Sequence, residues 1–161
     1  MKDAGLSSIF AGMENTSASN PDQIETIERY LAAYNAFDIA GMLALLSANV
    51  RFENFSGGQL TAAANGIGEF GDLARQSTSM FSEREQRITS VEQADGATVI
   101  GIAYRARLAV DIADGPRAGT VINLQGQTEF RFDGALIARI VDRSCRRFRP
   151  SPGSPTASAV R

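Results

Sequence analysis

The stretch Ala94–Ser144 reads ADGATVIGIAYRARLAVDIADGPRAGTVINLQGQTEFRFDGALIARIVDRS. Three Asp-Gly pairs divide it: Asp95-Gly96, Asp114-Gly115 and Asp133-Gly134. An Asp-Gly pair between runs rich in Val, Ile, Tyr and Phe signals a hairpin, because a tight turn needs the left-handed backbone that Gly and Asp tolerate. The pattern predicts long strands over 97–113, 120–132 and 135–144, with "QRITSVEQ" (86–93) as the strand before the first turn. Strands joined in succession by short turns make an antiparallel meander.

Working back from the meander, the period changes from two to that of a helix. Asn20-Pro21-Asp22-Gln23 reads as a helix start, with Asn20 as cap, Pro21 at the first helical position and Gln23 completing a capping box. Ile24, Ile27, Leu31 and Tyr34 continue the helix to about Phe37. Asp38 caps a second helix carrying Ile39, Met42, Leu43, Leu45 and Leu46. "VRFENFSGG" (50–58) is a strand ending in a glycine turn, and "QLTAA" (59–63) returns from it. A third helix starts at Asn65 or Gly66 and ends near Ser79. Helices first and a meander after give the α+β class, with a bent sheet around helices. The expected organisation is one domain over 20–145, a loosely ordered segment 1–19 with a short apolar anchor at Leu6, Ile9 and Phe10, and a disordered Arg/Pro/Ser tail over 146–161.

Composition removes whole classes of chemistry. The 161 residues contain no His and no Trp, one Cys (Cys145) and one Lys (Lys2). A Ser-His-Asp triad, a Cys-His pair and a zinc site built on His or Cys are therefore excluded. No acidic run has the spacing of a metal-binding loop, so neither a metal nor another cofactor is expected. A net charge of −2 gives no field for nucleic acid. No stretch reads as a membrane span or a signal peptide, and a lone Cys suits a reducing compartment, so the expected location is cytoplasmic. "GIGEFG" (66–71) matches a dinucleotide fingerprint, but it precedes antiparallel hairpins rather than opening a parallel βαβ unit, and reads as a helix start.

The order of elements, with "RYLAAYNAFDIAGMLALLSANVRFEN", "GIGEF" and "TEFRFDGALIARIVD", resembles the nuclear transport factor 2-like superfamily. That group includes ketosteroid isomerases, limonene epoxide hydrolase and SnoaL-like polyketide cyclases. The resemblance implies a cone-shaped barrel: a strongly bent antiparallel sheet wrapped around three N-terminal helices, enclosing an apolar pocket, with homodimers formed through the sheet.

It also assigns candidate residues. Against the isomerases, Tyr30 falls at the oxyanion Tyr, Asn54 at the general base, and Thr128 near the oxyanion Asp. An amide has no useful basicity, so steroid isomerisation is not expected. Against the epoxide hydrolase, Asn54 falls at a water-holding Asn, Phe52 at its Tyr, and Asp142, Arg105 and Arg107 at its acid–Arg–acid set. A slip of one residue would turn either Arg to the opposite face. The catalytic candidates are thus Asn54, Asp142, Tyr30 and Arg105. Tyr34, Phe52, Phe70, Phe81, Tyr104, Thr128, Phe130 and Phe132 are candidates for binding a small apolar ligand.

For each candidate an alternative stays open at this level. Asn54 also reads as a strand-end amide bonded to its neighbours, and Asp142 as a surface acid paired with Arg143 or Arg139. The tyrosines also read as core, and Arg105 and Arg107 as an outer sheet face with a cross-strand partner such as Glu129. Two functions follow. One is an enzyme of isomerase, cyclase or epoxide hydrolase type on a small apolar substrate. The other is a non-catalytic dimeric module that binds a ligand or a protein.

Overall fold

A computed structural model describes residues 20–144. The expectations for 1–19, Cys145 and the tail lie outside the described residues. Helix α1 (Pro21–Asn35) starts on Asn20, whose side chain accepts from the amides of Asp22 and Gln23 at 2.9 and 3.4 Å. Gln23 does not close a capping box. Its side chain instead accepts from Thr98 Oγ1 at 3.1 Å, tying the helix to the sheet. Helix α2 (Ile39–Leu43) is capped by Asp38, as expected, but is only one turn long. Leu45 and Leu46 are buried beyond its end, and Leu46 opens the next strand.

The strands are β1 (Leu46–Ser56), β2 (Gln59–Asn65), β3 (Phe81–Ala94), β4 (Ala97–Leu108), β5 (Val121–Asp133) and β6 (Leu136–Ser144), with α3 (Gly66–Thr78) between β2 and β3. They form one curved sheet in the order β2-β1-β6-β5-β4-β3. The Gly57-Gly58 and Asp95-Gly96 turns place both central residues at positive φ, as two-residue hairpins require. The meander is as read, with two corrections. β4 ends at Leu108, because Leu108 N–H donates to Thr120 O and Gly119 N–H to Leu108 O, closing the hairpin there. β3 starts at Phe81, five residues before the predicted "QRITSVEQ".

The sheet is not wholly antiparallel. Three hairpins bring the chain back from β3 to β6, which lies beside β1 and runs parallel to it. This junction pairs Asn54 with Asp142. On its other side β6 pairs antiparallel with β5, setting Asp142 against Thr128. Gly126 is required near this corner, since a Cβ there would collide with the carbonyl of Arg143.

The core lies between the concave face and the helices. Ile27, Tyr30 and Leu31 of α1 and Phe70 of α3 pack with Val50, Ile100, Phe130, Ile137 and Ile140. Burial of such side chains is worth about 1.5–3 kcal/mol each. No helix among the described residues is long and apolar enough to cross a membrane.

Candidate active site

Strand alternation decides what faces inward. On β4 the even-numbered residues Ile100, Ile102, Tyr104, Ala106 and Leu108 point to the core side. On β1, Phe52, Asn54 and Ser56 continue the face of the fully buried Val50. The helices do not fill the concave side completely. A cavity of about 370 Å³ remains, within the ~300–1,000 Å³ range of small-molecule sites. Tyr30, Tyr34, Asn54, Phe52, Phe70, Phe81, Tyr104, Thr128 and Asp142 all border it.

Asn54 is aimed by a β-bulge. The β1–β2 register shifts between Asn54 and Phe55, leaving Thr61 as the extra residue on β2. Thr61 Oγ1 donates to the Asn54 carbonyl at 3.1 Å and accepts from Asn54 Nδ2 at 2.7 Å. Bulges commonly re-aim one side chain. The amide nitrogen is thus occupied locally, and Oδ1 has no hydrogen-bond partner among the described residues.

Asp142 sits next to Asn54 across the parallel junction. Thr128 Oγ1 donates to its Oδ1 at 2.7 Å. Asp142 borders the cavity and is only partly exposed. Loss of hydration there pushes its carboxyl up to about 6, against the smaller opposing effect of the Thr128 hydrogen bond. Neither Arg139 nor Arg143 neutralises it. Arg139 pairs with Glu53 at 2.9 Å and Arg143 with Glu129 at 3.4 Å.

Three tyrosines share the cavity. Burial raises the Tyr30 phenol well above its ordinary range, and the charge of Asp142 adds to the effect. Tyr34 Oη and Tyr104 Oη lie 3.2 Å apart. Burial raises both phenols as well. All three therefore stay protonated at neutral pH and act as hydrogen-bond donors.

Four candidates fall outside the cavity lining. Arg105 is on the outer face, half-exposed, 3.6 Å from Glu83, and Arg107 is beside it, 3.1 Å from the same carboxylate. The inward position next to Arg105 belongs to Tyr104, so the acid–Arg–acid set does not form. Phe130 is fully buried behind Tyr30, with ring centroids 5.8 Å apart in an edge arrangement. Phe132 packs against the core. The Arg105 ion pair is solvent-exposed, where water and salt screen it, so it contributes little. Arg105→Ala is expected to leave turnover and ligand binding within about twofold of wild type, which steady-state kinetics or titration calorimetry checks.

A further cavity residue has no signature in the sequence. Arg84 is 5% exposed and borders the cavity. Its Nε donates to the Tyr34 carbonyl at 2.8 Å, near the C-terminus of α1, and Nη1 to Ser77 Oγ at 3.4 Å. Its Cζ lies 3.7 Å from the Tyr34 ring centroid and 4.4 Å from that of Phe37. Asn35 holds the helix end in place by exchanging two hydrogen bonds with the Gln86 backbone.

The fold has known counterparts. A protein from Xanthomonas campestris pv. campestris described as a proposed polyketide cyclase superposes with a TM-score of 0.64 at 18% identity, covering 76% of this chain and 89% of that one. An epoxide hydrolase from M. tuberculosis, described as LEH-like, gives 0.61 at 15% identity over 76% and 82% of the two chains. A Catenulispora acidiphila protein of ketosteroid isomerase-like fold, in complex with trimethylamine, gives 0.61 at 16% over 77% and 85%. No curated protein matches the sequence. At these identities the structures establish the nuclear transport factor 2-like fold alone. The SnoaL-like domain model matches residues 27–140, most of the chain, and this protein belongs to that family.

Proposed function

We propose that this protein is an enzyme that moves a proton on a small, mostly apolar, oxygen-bearing substrate, in a reaction of the cyclase or epoxide hydrolase kind. One observation carries the reading: a single carboxyl, Asp142, stands in an aromatic-lined cavity with its pKa raised to about 6. A carboxylate poised near neutrality is matched to general base work. Asp142 takes a proton from the substrate or from an attacking water. Asn54 Oδ1, beside it across the β1–β6 junction, accepts from that water or from a substrate hydroxyl. Tyr30 donates to the substrate oxygen on which negative charge grows, where a fixed donor in a dry site is worth most. Asn54 stands where a steroid isomerase needs its base, so that reaction is not part of the proposal.

The test is turnover by purified protein of a panel of small epoxides and of linear 1,3-diketones, followed by mass spectrometry. For any substrate converted, kcat/KM is expected to rise with pH through about 6 and then level off, because the base must be deprotonated. A flat profile from pH 4.5 to 8, or no conversion of any member of the panel, counts against the proposal.

A further inference from the structure

A guanidinium keeps its charge in any protein environment. Burying one without a counter-ion is costly, and cation–π contacts and hydrogen bonds offset that cost only in part. Arg84 is in this situation. Its Nη2 is buried with no hydrogen-bond partner, and no carboxylate pairs with it among the described residues. Its neighbours are the faces of Tyr34 and Phe37, one backbone carbonyl and one hydroxyl. Asp142 borders the same cavity but does not supply the missing charge. A guanidinium in contact would hold that carboxyl low, whereas it is raised.

The hydroxyls close to Arg84 point to what supplies it. In the Tyr34–Tyr104 pair one hydroxyl donates to the other, so one proton remains for a third acceptor. The cavity therefore holds an unneutralised cation, a free phenolic donor beside it, and Asp142 near Thr128 and Asn54.

We infer that the ligand carries an anionic oxygen, as a carboxylate, phenolate or enolate, which Arg84 and the Tyr34–Tyr104 pair receive while its apolar body lies along Phe52, Phe70 and Phe81. This rests on the ligand-pocket reading above and adds a substrate class to it. It also gives the substrate a direction: the anionic end goes to Arg84, and the reacting centre goes to Asp142.

The experiment uses two probes of nearly the same shape, 2-naphthoate and 2-naphthamide, titrated at pH 7.5 by calorimetry. Wild type is expected to bind the carboxylate at least about tenfold more tightly, since charge-assisted hydrogen bonds are about twice as strong as neutral ones. Arg84→Met is expected to bind the two probes equally, and Arg84→Lys to keep part of the preference. Equal binding by wild type overturns the anion assignment while leaving the apolar pocket intact. Binding of neither probe overturns the pocket reading and the anion site together. Arg143 also borders the cavity, so Arg143→Gln is measured beside it. Loss of the preference there rather than at Arg84 overturns the assignment. Should Arg84→Met fail to fold, the side-chain ¹⁵Nε resonance of Arg84 in wild type decides. It is expected to shift with naphthoate and not with naphthamide, and no difference overturns the proposal.

Discussion

Asp142→Asn is expected to lose about 10²–10⁴-fold in kcat and at the same time to make the protein more stable at neutral pH. The two effects share one cause. The folded state holds the Asp142 proton up to about pH 6, whereas a free Asp carboxyl releases it near 3.8. Between those values the native state binds more protons than the unfolded chain, so stability falls as pH rises through this window. Above pH 6 the full cost of the buried charge applies. The difference of about two pH units, at about 1.4 kcal/mol each, amounts to on the order of 3 kcal/mol. Asparagine keeps an oxygen to accept from Thr128 Oγ1 and carries no charge. The variant should therefore melt roughly 5–10 °C higher than wild type at pH 8, with the gap closing towards pH 4. Calorimetric melts at both pH values check this. A variant destabilised equally at pH 4 and pH 8 would show Asp142 to be structural, and one that keeps wild-type turnover would remove it as the base.

Phe130→Ala is expected to be among the most damaging single truncations. Phe130 has no exposed surface and supports Tyr30 edge-on from behind. Its deletion combines lost burial with a cavity that rigid strands on both sides cannot collapse into, at a cost of about 3–5 kcal/mol. Against a typical total of about 5–15 kcal/mol this is a large share. In urea the midpoint should fall while the slope stays constant. A loss below 1 kcal/mol would contradict the packing described. The outcome also separates the role expected from the sequence from the role observed. A ligand-lining Phe would weaken binding and leave stability nearly intact, whereas a supporting Phe lowers stability first.

The contrast between Phe130 and Arg84 shows what the sequence made legible. The Asp-Gly turns and the alternation of β4 to β6 rest on local chemistry, so they could be read directly, and so could the inward face of β1 through Val50. The face of Arg105 depended on register, and local pattern does not set register where both faces carry small or apolar residues such as Ala103 and Gly101. The first half of β3 has no apolar alternation: after Phe81, "SEREQ" sets one polar face against another. Of its inward members Arg84 is buried and Gln86 half-buried, because Tyr34, Phe37 and Asn35 of distant sequence cover them. No period of apolar residues marks such a strand. Phe130 and Phe81 are alike in sequence. Which one lines the cavity depends on where α1 stops covering the sheet.

The parallel neighbourhood of β1 and β6 has a consequence for how the molecule comes into being. Ser56 and Ser144 meet at 3.3 Å although 88 positions separate them. The wall holding Asn54 and Asp142 therefore joins an early segment of the chain to a late one. While the protein is being synthesised, β1 and β2 emerge long before the strand that completes them, and their open edge must wait for it. Contacts this far apart in sequence slow folding. The wall has no half-made form: no precursor lacking β6 can hold Asp142 beside Asn54, so the cavity is complete only when the chain has closed on itself.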